Sequence, residues 1–165
     1  MNVQTQFIHI VHLVDSPEAA ATLAKWFEEE WEPWYGSNGQ GNAERDLAEC
    51  CTKNNLPVCL IALDQAGDVL GTAALKTDSV GSETGVGPWL AALIVGKEHR
   101  GKGVGSALVA AIEGEAHRLG IESIFTSVNT AERIMMRRGW QIFGAAESLR
   151  GATTVYRKHI QDQGS

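Results

Sequence analysis

Three glycines alternate with basic and apolar residues in the run Arg100-Gly101-Lys102-Gly103-Val104-Gly105-Ser106. That spacing suits the holding of a diphosphate. The first amides of a helix have no acceptor inside the helix, and the helix dipole adds partial positive charge to them. Glycine has no Cβ, so an anion can come close to the backbone. Arg100 and Lys102 add positive charge at the rim of such a cradle. Two other glycine-loop chemistries fail on spacing. A nucleoside-triphosphate loop ends in Gly-Lys-Ser/Thr, and the chain has no such triplet. A dinucleotide fingerprint, G-x-G-x-x-G, would need glycine at position 106, which is Ser106.

Other residues with chemical potential are less committed. Glu28, Glu29, Glu30 and Glu32 crowd the end of a helix, either as a solvated acidic face or as an acidic rim for a cationic ligand. His9 and His12 stand three apart in a strand and so point to opposite faces, which excludes a shared metal ion. No metal site is expected. Cys50, Cys51 and Cys59 show no zinc spacing and read as reduced thiols. Trp26, Trp31, Trp34 and Trp89 read as core or cleft wall.

The elements that must position these residues follow from periodicity. A strand is expected over Gln6–Val14, rich in β-branched residues. Ser16 and Pro17 then open a helix with Leu23, Phe27 and Trp31 on one face, ending near Pro33. Trp34–Gly41 reads as a loop and Asn42 to about Asn54 as a second, more polar helix. Pro57–Asp64 and Val69–Thr77 form a hairpin, and Asp78–Pro88 is a Gly/Ser-rich loop. Trp89–Val95 is an almost wholly apolar strand, as expected when both sheet faces are covered. A helix over Gly103–Leu119 carries Val104, Leu108, Ile112 and Leu119 on one stripe, and Gly120 stops it. A strand at Ser123–Val128, a short helix at Thr130–Arg138, and strands at Trp140–Ala146 and Ala152–His159 complete the chain, leaving Gln161–Ser165 as a frayed tail. The order β-α-α-β-β-β-α-β-α-β-β predicts an α/β domain with a mixed central sheet and flanking helices, one domain over residues 1–165.

Composition agrees with a globular chain: 165 residues, 44% hydrophobic, 21% charged, net charge −6. The acidic balance argues against a nucleic-acid partner. No apolar run is long enough to span a bilayer and the N-terminus has no signal-peptide pattern, so a cytoplasmic location is expected.

The motif and its setting resemble the GNAT (Gcn5-related N-acetyltransferase) family. Arg100-Gly101-Lys102-Gly103-Val104-Gly105 matches the family signature (Q/R)-x-x-G-x-(G/A), directly after a strand and at the head of a helix. The similarity extends over the hairpin, WLAALIV, the signature helix, the next strand and Gly139-Trp140. It implies a GNAT-type acyl-CoA N-acyltransferase fold with acetyl-CoA as co-substrate. An amine attacks the thioester directly. The fourth and fifth strands splay so that the pantetheine arm lies between them. Backbone of Leu93, Ile94 and Val95 would then meet the pantetheine and the acetyl carbonyl, one N–H steadying the oxyanion. Arg100, Gly101, Lys102, Gly103, Val104, Gly105 and Ser106 would hold the diphosphate.

The chain departs from the pattern at Met135, where many relatives place a tyrosine that protonates the leaving thiolate, and Asn129 is one residue out of step with a cofactor-contacting asparagine. The catalytic residues stay unassigned, with Glu29 and Glu30 as candidates for proton acceptor. The expected acceptor is a primary amine, on a small molecule or at a peptide or protein N-terminus. The alternative is a GNAT-shaped module that binds or senses acetyl-CoA with little turnover. Acetyl-CoA and the amine are the expected partners, with neither nucleic acid nor membrane, and a homodimer is left open.

Overall fold

The computed structural model describes residues 7–79, 83, 85–128, 131–148 and 151–160. Asn129, Thr130, Gln6 and the tail from Gln161 lie outside the described residues.

A seven-stranded sheet runs through the described residues in the order β1-β2-β3-β4-β5-β7-β6. The strands are β1 His9–His12, β2 Val58–Leu63, β3 Val69–Lys76, β4 Trp89–Val95, β5 Ser123–Val128, β6 Gln141–Ser148 and β7 Gly151–His159. Neighbours are antiparallel except β4 and β5, so the sheet is mixed. The helices are α1 Ala20–Glu30, α2 Glu32–Tyr35, α3 Ala43–Glu49, α4 Val104–Arg118 and α5 Glu132–Arg137.

Two cores sit on opposite faces of the sheet. On one, Val104, Leu108 and Ile112 of α4 pack over Leu60, Leu70 and Leu90, with Met135 and Tyr156 closing the cluster. On the other, Leu23 and Phe27 of α1 and Leu47 of α3 pack over Ile61, Ala74 and Ile94. Strands covered on both faces have no need for polar alternation, which explains the apolar runs VCLIAL and WLAALIV.

The helical N-terminal region is more broken than the sequence suggests. β1 is only four residues long, because Leu13–Asp15 already turns as a 3₁₀ helix. Ser16 makes no side-chain cap, and Pro17–Ala19 is again 3₁₀. α1 stops at Glu30, and Trp31 leaves the helix at φ −119° and ψ 51°. Pro33, expected near a helix end, instead sits in the first turn of α2, where its missing N–H costs nothing. Asn42 caps α3 by accepting the Arg45 amide at 3.0 Å, but the helix ends at Glu49 rather than Asn54.

Candidate active site

β4, the turn after it and the head of α4 carry the residues singled out by the sequence. The β3–β4 register sets Ala74 opposite Ala91 and Thr72 opposite Ile94, so that Ala73 of β3 faces two residues of β4, Ala92 and Leu93. This bulge contains Ala92 at φ +55°, the left-handed region that a non-glycine residue seldom occupies. Beyond the bulge, Gly96 N–H donates to the Leu70 carbonyl at 2.9 Å, so Gly96 and, two residues back, Ile94 direct their backbone groups toward β3. Val95 must then direct its own away from β3, and there Arg100 Nε donates to its carbonyl at 3.1 Å.

β4 and β5 pair only near their start among the described residues. Trp89 lies opposite Phe125, Phe125 N–H donates to the Pro88 carbonyl at 3.0 Å, and Thr126 Oγ1 donates to the Leu90 carbonyl at 2.9 Å. Past that point the two strands part, leaving an edge of β4 without a strand partner on the β5 side. A bulge increases local twist and bends its strand, so the bulge at Ala92 supplies a cause for the divergence.

The gap leads to the glycine turn. Gly101 and Gly103 have φ of +76° and +87°, and a Cβ built on either would meet nothing within 4 Å. Gly103 is the N-cap of the fifteen-residue α4, and Ala107 N–H is the first amide bonded back to it, at 3.0 Å. The amides of Val104, Gly105 and Ser106 therefore lie in the orphan first turn. Gly105 plays a second part: a Cβ there would come 2.9 Å from Ile134 Cδ1, so its bareness lets α5 close on α4. Lys102 is exposed. Arg100 is more than a rim charge, since its Nη2 also lies 3.8 Å from the Glu30 carboxylate and ties the end of β4 to α1.

Beside this end of β4 is a cleft of about 260 Å³, walled by Trp26, Glu29 and Glu30 of α1 and by residues 94–100. The structure thus brings Ile94, Val95, Arg100, Glu29 and Glu30 together. Glu28 and Glu32 fall outside the cleft lining. Phe27, Trp31 and Tyr35 stack behind α1, ring centroids 5.1–6.4 Å apart.

No tyrosine reaches this cleft. Tyr35 donates its phenol proton to Asp46 Oδ2 at 2.7 Å, and burial together with that bond raises its pKa well above the ordinary value. Tyr156 is buried against α4, and Met135 is fully buried in the same core. His9 is exposed, whereas His12 sits against the Glu115 carboxylate. Among the described residues no group of three or more His, Cys, Asp or Glu is placed to hold a metal ion. No helix of the described residues is long and apolar enough to cross a membrane.

A larger cleft, about 640 Å³, opens at the other end of α4. Glu113 is the hub of its polar contacts. Glu113 accepts from Arg138 Nε at 2.8 Å, Arg138 Nη2 at 3.1 Å and Trp140 Nε1 at 3.1 Å, and Lys158 stands 3.9 Å away. The Glu113 bond raises the Arg138 pKa. This arrangement binds α4 to the last strands and lies away from the glycine turn.

Two features of the site escape the sequence: the bulge at Ala92, which lacks glycine or proline to announce it, and His99, which lines the cleft beside Trp26, Glu29 and Glu30 of α1.

A mixed sheet that opens between two parallel strands and ends in a glycine-capped helix defines an N-acyltransferase of the acyl-CoA class. Residues 23–140 match the model of the acetyltransferase (GNAT) family. The chain belongs to that family and is an N-acetyltransferase with acetyl-CoA as co-substrate. Solved structures share the fold at low sequence identity. Aminoglycoside 6'-N-acetyltransferase from Enterococcus faecium superimposes with TM-score 0.72 at 16% identity, over 95% of this chain and 99% of that one. A GCN5-related N-acetyltransferase from Kribbella flavida gives 0.71 at 19%, over 92% and 97%. A Salmonella typhimurium protein assigned as an acetyltransferase, solved with acetyl-CoA, gives 0.73 at 15%, over 96% of each. No curated protein matches the chain in sequence.

Proposed function

We propose that this chain moves the acetyl group of acetyl-CoA to a primary amine that arrives as a cation. The observation that carries the reading is the gap between β4 and β5 running into the glycine turn. The amides of Gly101–Ser106 would hold the diphosphate, with Lys102 adding charge. On the side turned away from β3, the Val95 N–H and the backbone of Leu93 offer strand edge to the amides of a pantetheine arm, as an added strand would be bound, the Val95 carbonyl being already bonded to Arg100. Ile94 contributes by side-chain packing, since its backbone faces β3. When bound, acetyl-CoA supplies the activated thioester carbonyl. Glu29 and Glu30 give the neighbouring cleft a negative rim, which favours a protonated amine over a neutral or anionic acceptor. Aminoglycoside acetyltransferases among the structural relatives act on such polycationic amines, which is consistent with this class of acceptor.

The test is thiol release from acetyl-CoA with a panel of spermidine, kanamycin, tyramine and short peptides with free N-termini. Release with the cationic small amines, exceeding that with neutral peptides, is the expected result. Tight binding of acetyl-CoA with no thiol release for any amine would instead fit a sensing module, a reading that the buried Met135 in place of a proton-donating tyrosine favours.

A further inference from the structure

We infer that His99 takes the proton from the acceptor amine, an assignment that rests on the acetyl-transfer reading above. His99 closes the 3₁₀ turn Lys97–His99 between β4 and the glycine turn, its amide donating to the Gly96 carbonyl at 2.8 Å. His99 lines the same cleft as Glu29 and Glu30. Nδ1 is shielded from solvent and has no hydrogen-bond partner. The ring is held in place: a Cβ on Gly96 would meet His99 Cδ2 at 3.1 Å and the Trp26 indole at 2.9 Å, so both rings lie over that bare glycine. A buried polar nitrogen without a partner is unfavourable, and because Nδ1 has no accessible surface a proton from an acceptor in the cleft must go to the other ring nitrogen, Nε2.

The competing bases are less suitable. Glu30 already faces the Arg100 guanidinium at 3.8 Å, so its carboxylate is engaged by a cation. Carboxylates as a class accept protons poorly near neutral pH, whereas imidazole ordinarily changes charge there. The charged groups around the ring are Glu29 and Glu30 from α1 and Lys97, Glu98 and Arg100 from its own turn. The two glutamates give the cleft a negative wall that favours an entering ammonium.

The step balances as follows. The acceptor enters as R–NH₃⁺ and one proton moves to a ring nitrogen of His99. The freed lone pair attacks the thioester carbonyl carbon, a C–N bond forms and the C–S bond breaks. A second nitrogen proton leaves through water to the departing thiolate, giving the thiol. His99 then returns its proton to solvent, so the net products are an amide, a thiol and one proton.

The experiment compares wild type, His99→Gln and His99→Ala on the best amine of the panel. The expected results are a kcat lower by about a hundredfold or more, within the usual range for a positioned acid or base, and acetyl-CoA affinity within about threefold of wild type. The wild-type pH profile should carry an acid limb that vanishes in both variants, and added imidazole should restore part of the activity of His99→Ala. A wild-type profile with no acid limb overturns the assignment without any variant. So does a persistent limb, or a variant kcat within about threefold of wild type. Acetyl-CoA affinity reduced with kcat intact also overturns it, because His99 would then only shape the diphosphate turn. If wild type binds acetyl-CoA yet acetylates nothing, the acetyl-transfer reading fails and this assignment with it.

Discussion

At the scale of single residues, three cases separate the work of the backbone from that of side chains. Gly103 has φ +87° and faces open space. Gly103→Asp places a carboxylate where a diphosphate would lie and also strains the turn. Calorimetry should show acetyl-CoA affinity falling by about a hundredfold, roughly 3 kcal/mol, with the circular dichroism of the fold kept. Unchanged affinity in a folded protein would remove this turn from the diphosphate site. Ala92, at φ +55° in the bulge, should reject a β-branched side chain. Ala92→Val is expected to cost about 1–3 kcal/mol in urea unfolding, whereas Ala92→Gly should not. The proton donor is the third case. Met135 is fully buried, the Tyr35 hydroxyl is bound to Asp46, and Tyr156 lies in the α4 core. A thiolate leaving group needs an acid less than an amine or alkoxide does, since a simple thiol titrates at about 8.5. Met135→Phe, Tyr35→Phe and Tyr156→Phe should each keep kcat within about tenfold. A hundredfold loss in either tyrosine variant, with acetyl-CoA affinity intact, would identify a donor that the static geometry hides.

At the scale of elements, α1 and α4 do different things with similar sequence patterns. α4 buries Val104, Leu108 and Ile112 and points its head at the gap beside β4, so its amphipathic stripe fixes the glycine turn against the sheet. α1 buries Leu23 and Phe27 and leaves Glu29 and Glu30 beside that gap. Replacing both glutamates with glutamine should raise KM for a cationic acceptor severalfold and flatten its dependence on salt, while neutral acceptors change little. An unaltered KM and salt response would make them a solvated face. These two helices and the central strands were legible because a stripe or run of apolar residues has one cheap solution, burial against a neighbour. The glycine turn was legible because its φ values exclude most other residues. The break at Trp31, the short turn around Pro33 and the early end of α3 were not, since they depend on how Phe27, Trp31 and Tyr35 stack, and that packing leaves no periodic trace. The bulge at Ala92 lies inside a uniform apolar strand, where nothing in LAALIV marks which alanine takes the strained conformation.

At the scale of the whole molecule, the core responds to alkali through thiols that the chemistry does not use. Burial pushes the Cys59 pKa up to about 12, against an ordinary 9.0, although a hydrogen bond with Thr72 at 3.1 Å acts in the opposite direction. Burial likewise pushes Cys50 up to about 11, partly offset by Lys76. Both shifts favour the neutral thiol in the fold. Below the unfolded value both states carry the proton and stability is unaffected. Above it the unfolded chain releases the proton while the folded chain keeps it, so unfolding is favoured progressively until the folded pKa is passed. The loss from Cys59 approaches about 1.4 kcal/mol per pH unit in that window. The chain already carries a net charge of −6, and added negative charge at high pH brings repulsion of its own. That repulsion is common to wild type and a Cys59→Ala variant, so the difference between them isolates the thiol. Urea unfolding from pH 8 to pH 10.5 should show Cys59→Ala less stable at pH 8, because it leaves a small cavity, but with a shallower decline above pH 9. By pH 10 the gap between the two proteins should narrow by about 1.4 kcal/mol. Parallel curves through that range would mean that Cys59 ionises as readily in the fold as in the unfolded chain, and that the face of the sheet beneath α1 and α3 admits water.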